Sequence, residues 1–124
     1  MDRVSSDRGR GEPDSLSPLE FHVLLALAGG PLHGYAVAEA VAAESAGALT
    51  PRAGSLYRVV ARLVTARLVA EAEPPGVLPS HPGLARRYYA LTATGRQLLA
   101  AEAARLRRSA AVAEERLGLL RSSP

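Results

Sequence analysis

Apolar residues recur along the chain at helical spacing in four places and alternate in strand fashion in one region. The first helical stripe is Leu19, Val23, Leu24 and Leu27. Ser17-Pro18-Leu19-Glu20 precedes it as a capping box, with Ser17 as N-cap, Pro18 at the first helical position and Glu20 three residues on. Gly29-Gly30-Pro31 ends that helix. A second helix is predicted from Gly34-Tyr35 to about Ser45, with Val37, Ala40 and Val41 inward and Gly47 as its stop. Ala48-Leu49-Thr50 reads as a connector or one short strand. The third helix is placed after Thr50-Pro51, a cap followed by proline. Leu56, Val59, Val60, Leu63 and Val64 give it one buried face, and Ser55, Arg58, Arg62 and Thr65 occupy the opposite face.

A β-hairpin follows. Leu68–Glu73 is its outgoing strand, Pro74–Gly83 its loop, with four Pro and two Gly, and Arg86–Leu91 its return. On the return strand Arg86, Tyr88 and Ala90 share one face, while Arg87, Tyr89 and Leu91 share the other. Core and edge packing is the expected use of Tyr88 and Tyr89, with stacking on a ligand as the alternative. Thr92-Ala93-Thr94-Gly95 leads into a long last helix from about Thr94 to Leu120. Its apolar positions Leu99, Ala103, Leu106, Ala110, Ala113, Leu117 and Leu120 form an a/d heptad seam, which predicts a homodimer. Arg105, Arg107 and Arg108 read as a solvated face beside that seam.

The order helix, helix, helix, hairpin, long helix is mostly α with a small β-hairpin. It predicts a winged helix-turn-helix over residues 16–92, a C-terminal dimerisation helix over 93–121 and a disordered polar tail over 1–15. Charge segregation supports that plan. Residues 1–49 carry three Arg against seven acids, for −4; residues 50–97 carry seven Arg against two, for +5. Every basic side chain is Arg, whose planar fork suits phosphate and guanine edges. In this plan the third helix lies in the major groove of double-stranded DNA. Arg52, Arg58, Arg62 and one of Arg86 and Arg87 would neutralise phosphate, the other wing arginine forming a local ion pair. Ser55, Tyr57 and Arg58 are the candidates for contacts at or near base edges. Taken alone, such a face is also what an ordinary surface helix shows.

Cysteine is absent, which excludes disulfides, thiolate metal sites and thiol nucleophiles. The three His stand at 22, 33 and 81, without i, i+4 pairing, so no zinc site is expected. His33 has three readings: a structural role at the Gly34 turn, pH sensing or ligand binding. No Ser-His-acid set or Gly-rich phosphate loop is visible, so neither an enzyme nor a cofactor is expected. With no apolar run of membrane-spanning length and no signal peptide, the expected location is the cytoplasm.

Four motifs then carry a resemblance. Leu16-Ser17-Pro18-Leu19-Glu20, Leu32-His33-Gly34-Tyr35, Gly54-Ser55-Leu56-Tyr57-Arg58 and the run from Arg86 to Arg96 (RRYYALTATGR) resemble, in order, segments of the PadR family. The resemblance implies a dimeric winged-helix repressor whose C-terminal helix dimerises. On this basis the chain is expected to bind a pseudo-palindromic operator, with release by a small-molecule effector or a partner. The sequence departs from the family pattern at two points. Arg52-Ala53 separates Thr50-Pro51 from Gly54, and Arg67 stands where the family usually has Gly, at a position that favours a left-handed backbone. The rival reading is a winged-helix module that binds an acidic protein rather than DNA. It draws on a hairpin loop without Arg or Lys at its tip.

Overall fold

The computed structural model describes residues 16–73 and 87–119. The expected tail, the hairpin loop, Arg86 and Leu120 lie outside the described residues. Within them run α1 (Pro18–Leu27), β1 (Leu32–His33), α2 (Gly34–Glu44), α3 (Ala53–Thr65), β2 (Val69–Ala72), β3 (Tyr88–Leu91) and α4 (Ala93–Arg116). The three strands form one antiparallel sheet in the order β1-β3-β2. Leu32 pairs with Tyr89, and Val69 with Leu91.

The capping box on α1 forms as its sequence requires. The Glu20 N–H donates to Ser17 Oγ at 3.1 Å, and the Ser17 N–H donates to Glu20 Oε1 at 2.8 Å. At α2, His33 is the N-cap, its Nδ1 accepting the Ala36 N–H at 3.2 Å. This cap is a structural role at the Gly34 turn.

Three expectations shift. The strand missed by hydropathy is β1; Ala48–Thr50 forms none. Two residues are too few to show alternation, and β1 exists because β3 supplies its ladder partners. The Thr50-Pro51 cap is not the start of α3: the N-cap is Arg52, without a side-chain hydrogen bond, and the helix opens at Ala53. Finally, α4 begins one residue before Thr94, because Thr92 Oγ1 accepts the Gly95 N–H at 2.9 Å. It ends at Arg116, where Gly118 at φ 73 lets the Leu119 N–H bond Glu114 O and the Gly118 N–H bond Glu115 O.

The core gathers Val23, Leu24 and Leu27 of α1, Val37 and Val41 of α2, and Leu56, Val59, Val60 and Leu63 of α3. Leu68, Val69 and Tyr89 close it from the sheet side. The predicted inward face of α3 is therefore the buried one, with Val64 half-buried at its edge.

One junction joins α3, the sheet and α4. After Ala66 the chain passes through Arg67 at φ 65, and the Leu68 N–H reaches back to Leu63 O at 2.9 Å. The Thr92 hydroxyl donates to Arg67 O at 2.8 Å, and the Thr92 N–H donates to Leu68 O at 3.1 Å. Gly95 sits directly against the Leu68 carbonyl, where a Cβ would collide with backbone. Two stability predictions follow from this geometry. Arg67→Gly removes the left-handed penalty and should raise stability by about 1 kcal/mol in denaturant unfolding. Gly95→Ala forces α4 off Leu68 and should lower stability by about 2 kcal/mol or more in the same assay; an unchanged midpoint would contradict the close approach.

Candidate nucleic-acid interface

The amphipathic pattern of α3 decides what the surface displays. With Leu56, Val59, Val60 and Leu63 buried, the helix turns Ala53, Gly54, Tyr57, Arg58, Ala61, Arg62 and Thr65 outward, all of them exposed. Ser55, expected on that face, is half-buried on the flank. Arg58 has Gly54 and Ala61 beside it, with Tyr57 and Arg62 on the same outward face. A helix surface of this kind can approach a groove floor, with its guanidinium groups reaching ahead of it.

Tyr57 is 59% exposed. Its ring lies across the start of α2, with Cε1 3.6 Å and Oη 3.9 Å from where a side chain on Gly34 would begin. Tyr35 is exposed beside it, its ring stacked over His33 at 6.3 Å. The starts of α2 and α3 thus each carry an exposed tyrosine near backbone N–H groups suited to anions. Tyr35 was missed at the sequence level, because its motif reads as the entry to a helix.

The hairpin shares this surface. An open cleft of about 1040 Å³ runs between α2, α3 and the sheet, lined by Tyr35, Tyr57, Val64, Glu71, Arg87 and Tyr89 among others. Tyr89 is buried, and that burial pushes its hydroxyl pKa up, with Arg87 pulling in the opposite direction. Tyr88 packs edge-on against His33, with ring centroids 5.5 Å apart. Both tyrosines therefore serve packing.

The candidate cations differ in their surroundings. Arg52 at the α3 N-cap and Arg58 are exposed and make no ion pair with the described residues. Arg62 leans toward α1, where its Nη2 lies 3.2 Å from Glu20 Oε2. Arg87 pairs with Glu71 across the hairpin at 3.1 Å. Neither carboxylate partner was legible in the sequence. Glu20 already had a local role as a capping residue, and it stands 42 positions from Arg62.

The last helix divides in two. Its first turns pack on the core, with Leu98 and Leu99 half-buried there, so Leu99 is engaged within its own chain. From Arg105 onward every described residue is exposed, including Ala110, Ala113, Leu106, Val112 and Leu117, the last at 70%; Ala103 is exposed as well. Among the described residues Glu102 is the buried charged group, and the hydrogen bond from Arg105 holds its carboxyl below the usual carboxylate range. Arg105 makes this pair while staying exposed, as do Arg107 and Arg108 beside it. No group of three or more metal-ligating side chains occurs among the described residues, and none of their helices is long and apolar enough to cross a membrane.

Comparison with known proteins places this architecture. The sequence profile of the transcriptional regulator PadR-like family matches residues 23–101. A 37.1 kDa protein of transposon TN4556 from Streptomyces fradiae is 44% identical over 81 residues, or 65% of this chain. The chain spans 21% of that relative's length. A PadR family transcription regulator from Clostridium difficile superposes with a TM-score of 0.66 at 19% identity, covering 82% of this chain and 99% of that one. A PadR-like transcription factor from Bacteroides fragilis gives 0.62 at 24% identity, covering 92% and 98%. Bacillus subtilis PadR in complex with operator DNA gives 0.53 at 18% identity, covering 87% of this chain and 50% of that one. With the family profile spanning well over half of the sequence, the chain belongs to the PadR-like family of transcriptional regulators.

Proposed function

We propose that the chain is a sequence-specific DNA-binding repressor that occupies a pseudo-palindromic operator as a homodimer. The observation that carries this reading is α3, whose apolar side is locked in the core while Arg58 and Arg62 stand exposed on its outer side and Tyr57 and Ala61 border the cleft shared with the hairpin. The similarity in fold to a regulator solved with operator DNA supports the same docking. In this reading residues 16–92 are the DNA-binding unit and the helix over 93–121 dimerises. Arg52 and Arg58 contact phosphate or base edges, Ser55 and Tyr57 lie close to the bases or backbone, and Arg62 with the wing arginines Arg86 and Arg87 flanks them. Repression follows from occlusion of a promoter in the cytoplasm, with release by a small-molecule effector or a partner.

Dimerisation is supported by the projecting half of α4, which leaves Leu106, Val112 and Leu117 in water. The seam Ala103, Leu106, Ala110, Ala113 and Leu117 would be covered by the same seam of a second copy. Two such chains would set their α3 helices about 34 Å apart, one turn of duplex.

Mobility shifts on DNA upstream of the protein's own gene test the reading. Binding should weaken steeply as salt rises, and Arg58→Ala should cost about 10-fold or more in affinity with unchanged circular dichroism. Absence of any shift at low salt would refute DNA binding, and capture of an acidic protein instead would favour an interaction module. Leu106→Glu should convert the dimer to monomer in sedimentation equilibrium; an unchanged dimer would refute the seam.

A further inference from the structure

We infer that Glu20 limits the sequence-independent affinity of the DNA-binding surface: it neutralises Arg62 and so withholds one phosphate contact from DNA of any sequence. The inference rests on the DNA-binding reading above and concerns how many phosphates that surface engages.

The carboxylate is held from two sides. Glu20 Oε1 accepts the Ser17 N–H at 2.8 Å, which fixes it at the first turn of α1. Its Oε2 accepts Nε of Arg62 at 3.4 Å and Nη2 at 3.2 Å. The Glu20 side chain is only 12% exposed, whereas that of Arg62 is 59% exposed. A shielded carboxylate anchored by backbone is costly to leave unpaired, so this arginine does not leave it readily. The pair across the hairpin differs. Arg87 and Glu71 are 71% and 57% exposed, so solvent screens their attraction and a phosphate can replace the carboxylate at little cost. Of Arg62 and Arg87, Arg87 can therefore add to counterion release on DNA. Arg62 arrives with its charge already balanced.

The consequence lies in the sequence-independent part of binding. Each phosphate neutralised adds about 0.9 to the slope of log affinity against log salt. Withholding one contact lowers affinity for every duplex alike while leaving base-edge contacts intact, so the chain leaves DNA of any sequence more readily and the ratio between operator and other DNA stays the same.

The experiment uses the full chain and a labelled duplex of unrelated sequence, followed by fluorescence anisotropy from about 50 to 200 mM salt. Glu20→Gln preserves the capping box, since glutamine also accepts the Ser17 N–H. It should steepen the slope by about 0.9, an affinity gain that shrinks about 3-fold across that range. Arg62→Ala should leave the slope at the wild-type value, and the double variant should match Arg62→Ala. A slope shallower by about 0.9 in Arg62→Ala, or no change in Glu20→Gln, overturns the inference while DNA binding itself stands. The Arg62→Ala arm decides alone if Glu20→Gln lowers helicity. Failure of the wild-type chain to bind any duplex at low salt overturns the underlying reading instead.

Discussion

The orientation of everything that could meet DNA depends on one backbone junction, where Arg67 and Leu68 meet Thr92 and Gly95. The last turn of α3 closes through a left-handed Arg67, and the Leu68 N–H is spent on Leu63 O, so β2 must leave in one direction. The Thr92 hydroxyl then performs two tasks: it donates to Arg67 O and accepts the N–H of Gly95 that starts α4. A buried face would hold α3 in place without this junction, but not at a defined angle to the hairpin. The strain at Arg67 is tolerated because hydrogen bonds on both sides over-determine the turn.

Much of this was legible because it is local. Ser17 and Glu20 are three residues apart, so their reciprocal cap can be read from sequence, and it formed as read. The buried face of α3 was legible because five apolar side chains at helical spacing leave no other face to bury. The left-handed turn could be anticipated at Arg67 only through resemblance, since Arg carries no turn signal of its own. What escaped was non-local or weakly marked. β1 is two residues whose strand character comes from Tyr88 and Tyr89, more than fifty positions away. The start of α3 was misplaced because Pro51 mimics a first-turn proline, while Arg52, the true N-cap, makes no side-chain hydrogen bond. The seam on α4 was legible as a period, but Leu99 belongs to the core of its own chain, and exposed Val112 lies beside the period rather than on it.

Charge along the chain gave a basic middle segment, yet the fold redistributes it. Glu20 from the acidic first third is carried to Arg62, and Glu71 is carried to Arg87. The outer surface of α3 is thus less cationic than the sequence from 50 to 97 implies. Net charge by segment is a sound guide to which partner class a chain suits. It is a poor guide to which arginines are available, because that depends on pairings dozens of residues apart.

The rigidity of the turn at Thr92 has a mechanical corollary. Helix α4 has 24 residues, a rod of about 36 Å at the usual rise per residue. Tilting such a rod as a whole by about 5° shifts one end by about 3 Å relative to the other. Anything that tilts the far half of this lever transmits an ångström-scale displacement to the opposite end of the molecule, with no flexible hinge in the hydrogen-bonded turn to absorb it.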